Sequence, residues 1–211
     1  QNLVTADVIE VAGEGTERRH LLGFSGVGVF GDTPRFTENR FVKHYKGLLG
    51  TLLGDLGPFL VGINFALMRH HLNTLRGRGL QFRPAGENVE LPMAKYVSII
   101  ILNGDLSEDF PLAKGMPLGD GDFKVVTIRD RGFTCSYRQL ISCWNGSVFK
   151  YAKELSVTSF RTRNLQIVPR ETSPYMVNID GLVSWARGPI HYSISGQVKL
   201  VSGIDRPPLP A

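Results

Sequence analysis

The sequence predicts an α+β fold that is mainly β: an antiparallel β-sandwich with two helices inserted in its N-terminal third. Three observations lead there. Beyond residue 79 the chain is a succession of short apolar runs separated by turn residues at fairly even spacing, the pattern of a sandwich or barrel. Between residues 37 and 76 the apolar residues recur instead at three- and four-residue intervals, the helical period. Strands and helices nowhere alternate regularly, so the parallel open sheet of the classical nucleotide folds is not expected.

Taken in order, Leu3 to Val11 is rich in β-branched residues and stops at Gly13-Glu14-Gly15, which reads as a strand and a turn. His20-Leu21-Leu22-Gly23-Phe24-Ser25 reads as a second strand. Phe41, Tyr45, Leu48, Leu49, Leu52, Leu53 and Leu56 form one helical stripe, ended by Gly57-Pro58. Pro58 suits the first turn of another helix, whose stripe is Leu60, Ile63, Leu67 and Met68 and which ends at the Arg76-Gly77-Arg78-Gly79 break. The strand candidates that follow are Leu80 to Arg83, Tyr96 to Asn103, Phe123 to Arg129, Ser156 to Arg161, Leu165 to Pro169, Tyr175 to Asp180, Val183 to Ala186, Ile190 to Ile194 and Gln197 to Val201. Tyr137, Leu140, Ile141 and Trp144 have helical spacing. Residues 1–205 read as a single domain, and 206–211, with Pro207, Pro208 and Pro210, as a loose tail.

Composition narrows the function classes. A 211-residue chain with 42% hydrophobic residues can bury a real core, which excludes a disordered segment. The net charge of +5 is spread along the chain and suits an anionic membrane surface, a nucleotide or nucleic acid about equally well. Nucleic acid is not the expected partner, because basic residues interleaved with an aromatic occur only where Arg161 and Arg163 adjoin Phe160. Cys135 and Cys143 have no third cysteine or histidine at ligand spacing, so they read as reduced thiols in a cytoplasmic protein. No run of eighteen apolar residues occurs, so no spanning helix is expected, while peripheral attachment to a membrane is compatible with the charge. The first residue, Gln1, suggests a missing native start or a piece of something longer, and a cleaved targeting segment stays open.

Gly26-Val27-Gly28-Val29-Phe30-Gly31 satisfies G-x-G-x-x-G after a strand, but Asp32-Thr33-Pro34 follow and the next helix is expected several residues later. The glycines are therefore read as serving tight turns or close packing. Gly119-Asp120-Gly121 precedes the strand from Phe123, so no helix N-terminus is available there for a phosphate. It is either a plain Asp-Gly turn or one in which a carboxylate and backbone carbonyls converge on Mg²⁺ or Ca²⁺. His70 and His71 follow Arg69 near a helix C-terminus and read as a solvated cationic face. His20, His44 and His191 stand alone, and no Ser, His and Asp set has recognisable spacing.

Three segments carry a family resemblance. Val97-Ser98-Ile99-Ile100-Ile101-Leu102-Asn103-Gly104 is a strand ending in Asn, followed by Phe110-Pro111-Leu112-Ala113 and then Met116-Pro117-Leu118-Gly119-Asp120-Gly121-Asp122-Phe123. Tyr175-Met176-Val177-Asn178-Ile179-Asp180-Gly181 is a strand with an Asp-Gly turn, and Ile190 to Ser202 reads as a closing pair of strands. Their order resembles the C-terminal domain of the diacylglycerol kinases, a family that includes sphingosine and ceramide kinases. Asp7-Val8-Ile9-Glu10-Val11 is similar to the strand entering that domain, and Phe24-Ser25-Gly26-Val27-Gly28 to the glycine segment before its helices.

The resemblance implies a two-domain lipid kinase in which an upstream domain with a Gly-Gly-Asp-Gly-Thr loop binds ATP and the second domain is a β-sandwich that helps receive the lipid. That loop is not present in this chain. The resemblance also implies a structural Mg²⁺ (or Ca²⁺) on the Asp120 carboxylate and the backbone carbonyls of Pro117 and Asp122. Where the family has the Glu that accepts the lipid hydroxyl proton, this sequence has Leu182, which cannot take a proton; Asp180 is the nearby carboxylate that could substitute. The implied partners are a lipid or anionic membrane surface and a nucleotide-binding domain supplied upstream or in trans. The alternatives are a non-catalytic lipid-binding or regulatory domain, with Arg69, Arg76, Arg78, Arg161 and Arg163 holding it at a bilayer, or an unrelated sandwich that binds a protein.

Overall fold

A computed structural model describes residues 2–14, 16–37, 57–105 and 111–202. The helical stripe from Phe41 to Leu56 and the tail at 206–211 lie outside the described residues. Among the described residues there are eleven strands: β1 (Asn2–Gly13), β2 (Thr16–Leu21), β3 (Phe24–Gly28), β4 (Phe82–Gly86), β5 (Tyr96–Leu102), β6 (Phe123–Arg129), β7 (Val157–Thr162), β8 (Asn164–Pro169), β9 (Tyr175–Ile179), β10 (Leu182–Ala186) and β11 (Ile190–Ser202). The described residues also include three α-helices, α1 (Val29–Thr37), α2 (Gly57–Leu75) and α3 (Phe133–Trp144), with a 3₁₀ turn at Ser147–Phe149.

The strands form two antiparallel sheets, one of five in the order β2-β1-β11-β8-β4 and one of six in the order β10-β9-β3-β5-β6-β7. The mainly β, antiparallel architecture is the one the sequence predicts. Alternation along the central strands decides the layering. In β5, Ile99 and Ile101 join the core between the sheets, while Val97, Ile100 and Leu102 join a second core with Phe30, Ile63 and Leu67 of the helices. All seven residues of β5 are buried, so the six-stranded sheet is covered on both faces and its middle reads as one apolar run. A buried polar contact joins the sheets: the Ser25 hydroxyl donates to the Asn178 carbonyl at 2.6 Å and lies 3.0 Å from the Tyr192 hydroxyl.

Four expectations need correction. The run His20 to Ser25 is not one strand. The chain leaves the five-stranded sheet at Leu21 and enters the six-stranded one at Phe24, so Leu22-Gly23 is a crossing between layers. The closing pair of strands is the single strand β11, in which Ser195 is an extra residue. Val8 pairs with Gly196 and Ile9 with Ile194, a bulge that the small Ser195-Gly196 disguises as a turn.

The helix after the glycine segment starts at once, at Val29, with Pro34 inside it. Pro34 cannot bond the Phe30 carbonyl four residues back, and the Asn178 amide approaches that carbonyl at 3.5 Å instead. Gly31 thus lies within the first turn, yet β3 is antiparallel to both neighbours, β5 and β9, and the parallel nucleotide-fold context is missing. Last, the histidines do not form a solvated face. His71 is 8% exposed and the His70 side chain 11%, because the end of α2 is covered by the segment leading into α3.

Candidate functional site

Both Asp-Gly corners emerge at the same end of the six-stranded sheet. Asp180 follows β9, Asn103 follows β5 and Asp122 precedes β6, and these strand ends are brought level by the pairings Ser25 with Ile179, Phe24 with Leu102 and Leu102 with Lys124.

The first corner is a two-residue hairpin closed by the Ile179–Leu182 pair. Asp180 and Gly181 both have positive φ, 48° and 87°, the backbone a type I′ turn needs and the reason for an Asp-Gly pair there. The Asp180 carboxylate accepts backbone N–H groups from Leu22 (2.8 Å), Gly23 (3.0 Å) and Phe24 (2.8 Å). It therefore pins the crossing between the sheets. Leu182, in the position where the family resemblance implies a proton acceptor, is 64% exposed.

Asn103 links this corner to the rest of the site. Its backbone N–H donates to the Gly23 carbonyl at 3.0 Å, and its amide donates to the carbonyls of Leu22 (2.9 Å) and Asp7 (2.6 Å). Asp7 is 1% exposed. One of its carboxylate oxygens accepts the Gly121 N–H at 2.8 Å and the other accepts the Gln197 amide at 2.9 Å, which also donates to the Gly119 carbonyl at 3.0 Å. The second Asp-Gly corner is thereby anchored on a buried carboxylate of β1.

Asp120 and Asp122 both pair with the guanidinium of Arg161 on β7. Beside them Lys124 lies over the Phe149 ring, 3.8 Å from its centroid, and burial, then the neighbouring Arg161, lowers its amine below the usual lysine range. The donor types implied for a divalent cation, a carboxylate with backbone carbonyls, are thus present in the 117–122 turn, but Arg161 already neutralises the Asp120 carboxylate. Of the basic residues expected to face a bilayer, Arg161 is paired in this way and Arg69 bonds Asp32 at 2.8 Å. Sequence reasoning missed Asp7 and Gln197 as anchors and Arg161 as the counter-charge. The available signal was Asp7 itself, a charge within an otherwise β-branched strand.

On the outer face of the same sheet an apolar cavity of about 60 Å³ lies between β5 and the helices, among Phe30, Ile63, Leu67, Ile100, Leu140 and Cys143. Ligand sites commonly enclose ~300 Å³ or more, so an acyl chain would have to open it. Burial pushes the Cys143 thiol up to about 12, which makes it a packing group rather than a nucleophile. Among the described residues no helix is long and apolar enough to cross a membrane.

No family model and no curated protein matches the chain. Solved structures do. One from Bacillus anthracis str. Sterne, provisionally described as a diacylglycerol kinase, aligns with 93% of this chain and 54% of its own at a TM-score of 0.50 and 14% identity. A second so described, from the same organism, aligns with 93% of this chain and 55% of its own at 0.51 and 13% identity. The chain spans about half the length of the structures it matches, and it shares their diacylglycerol-kinase-like fold.

Proposed function

We propose that this chain is the second domain of a lipid-kinase-like protein, the part that faces a nucleotide-binding domain and receives the lipid. The observation that carries the reading is the two-sheet fold, shared over 93% of the chain with structures about half of whose length it spans. The convergence of both Asp-Gly corners on one end of the sheet supports it. In the complete protein the reaction is transfer of the γ-phosphoryl of ATP to a diacylglycerol-like or sphingoid hydroxyl, with the nucleotide domain supplied upstream or in trans. Bound Mg²⁺ supplies charge neutralisation in such chemistry. This chain's own share is positional: Asp180, Asn103 and Asp7 hold the corners, and Arg161 and Lys124 place positive charge beside them. Attachment to an anionic bilayer belongs to the same proposal.

A second reading, a non-catalytic lipid-binding or regulatory domain, is favoured by one particular feature. Leu182 offers no base, and both Asp180 oxygens already accept backbone N–H groups. Labelled ATP, Mg²⁺ and a lipid panel, incubated with the chain with and without a lipid-kinase nucleotide domain, separate the two. The chain alone is expected to transfer nothing. Transfer with the added domain supports the catalytic reading. No transfer under either condition, for the native chain and for Leu182→Glu alike, ends it. Flotation with anionic liposomes over a salt series tests the membrane surface, since electrostatic attachment must weaken as screening rises.

A structural Mg²⁺ or Ca²⁺ on Asp120 and the carbonyls of Pro117 and Asp122 is part of the proposal, with Arg161 as its competitor. Removing the competitor should strengthen the site. Arg161→Gln is expected to be stabilised by Ca²⁺ more than the native chain, by about 2.7 kcal/mol at a hundredfold excess over Kd, read as a larger rise in melting temperature. Asp120→Ala in the same background should abolish it. Equal rises with and without Asp120 would show that the ligand is misassigned.

A further inference from the structure

We propose that His70, His71 and Asp130 form a binding site for a divalent transition metal, with Zn²⁺ the ion their donor chemistry suits best. The site lies at the opposite end of the six-stranded sheet from the Asp-Gly corners, and it stands whether or not the lipid-kinase reading does.

The three residues come from two elements. His70 and His71 lie in the penultimate turn of α2, and Asp130 is the first residue after β6. One oxygen of Asp130 accepts the Gly132 N–H at 2.8 Å, which fixes the carboxylate, and the other lies 3.1 Å from His70 Nε2. One donor atom from each of the three residues lies within 4.8 Å of the others. His71 is the second, independent pointer. It is 8% exposed, and its Nε2 is buried with no hydrogen-bond partner. Its ring is held edge-on against His70 and Phe133, at centroid separations of 5.3 and 5.1 Å. Buried ring nitrogens are normally satisfied, so an unpartnered Nε2 on a ring packed against His70 is open to a metal ion in the tautomer that leaves its lone pair free.

Two imidazole nitrogens and one carboxylate oxygen are the borderline donors that Zn²⁺ and its transition-metal neighbours take, whereas Mg²⁺ and Ca²⁺ prefer all-oxygen shells. Tetrahedral zinc with bonds of about 2.0–2.1 Å sets its ligand atoms roughly 3.3 Å apart. His70 and Asp130 already sit near that separation, so the His71 ring supplies most of the adjustment. The ion replaces the proton shared by His70 and Asp130 and gains His71 as its third ligand. The Gly132 N–H on the far oxygen of Asp130 is the kind of outer contact that orients a ligating carboxylate. A fourth position is left for water or a small ligand, and of the three residues His70 also lines a cleft of about 50 Å³ with Asp32, Arg78 and Tyr96.

The test uses the full chain without a histidine tag, stripped with chelator and titrated with ZnCl₂ by calorimetry, and with CoCl₂ by visible absorption. One equivalent should bind, with the intense absorption of a tetrahedral Co²⁺ centre and a rise in melting temperature that chelator reverses. His71→Ala and Asp130→Asn should each weaken binding about a hundredfold or more, while Asp120→Ala leaves it unchanged. The native chain decides the matter even where a variant fails to fold, because a folded chain that gives no tetrahedral cobalt spectrum overturns the site. Binding that persists undiminished in folded His71→Ala overturns it as well.

Discussion

Asp180→Ala is expected to destabilise the protein by about 3 kcal/mol, lowering the melting temperature by roughly 10 °C, whatever the chain does with lipid. Three backbone N–H groups, from Leu22, Gly23 and Phe24, would lose a charged acceptor at the point where the chain crosses from one sheet to the other. Each such bond is worth ~1.5 kcal/mol or more when sheltered, and the exposure of this corner allows water to recover part of the loss. Alanine at φ 48° adds about 1 kcal/mol of backbone strain. Asp180→Asn keeps an acceptor oxygen and a residue type that tolerates this conformation, so its loss should be about half. Thermal melts of the two variants separate the structural role from a chemical one. If both variants melt with the native protein while phosphoryl transfer by the assembled protein falls, Asp180 acts on substrate and the clamp described here is not its main work.

The contrast between what the residues disclosed in order and what they did not has a physical pattern. β5, β6 and β9 were legible because their apolar runs are buried on both faces, and α2 because Pro58 and Arg76-Gly77 punctuate a clear helical stripe. The Asp-Gly hairpin was legible as a turn because both residues must adopt positive φ. What failed was set from far away in the chain. The break at Leu22-Gly23 is imposed by a carboxylate 156 to 158 residues later, so local propensity favoured one continuous strand. Pro34 hid the start of α1, since a proline in a helix interior normally argues against a helix there. His70 and His71 looked like charges at a helix end, and only the docking of Asp130 and Phe133 buries them. The same holds for the Asp120 turn, whose counter-charge Arg161 is a neighbour only through the pairing of β6 with β7.

The segment Gly26 to Gly31 supplies the other large expected effect. Gly28 has φ 80°, and a Cβ there would lie 2.4 Å from the Val97 carbonyl oxygen and 3.2 Å from the Ser98 Cα, both in the backbone of the buried strand β5. Neither can move without breaking the ladder between β3 and β5, so Gly28→Ala should cost about 4 kcal/mol or more and lower the melting temperature by at least about 10 °C. Gly77→Ala is the matched control. Gly77 has φ 71° with nothing within 4 Å of its would-be Cβ, so that variant bears the conformational cost alone, about 1 kcal/mol. The difference between the two melts isolates the backbone contact. Gly31 makes the same argument from the helix side, where a Cβ would come within 2.8 Å of the Met176 carbonyl. A nucleotide-gripping loop would behave otherwise, because Gly28→Ala would then bear only the conformational cost seen in Gly77→Ala and lose chiefly ligand. A loss in Gly28→Ala no larger than that in Gly77→Ala would therefore remove the close-packing account of these glycines and reopen the phosphate reading of the motif.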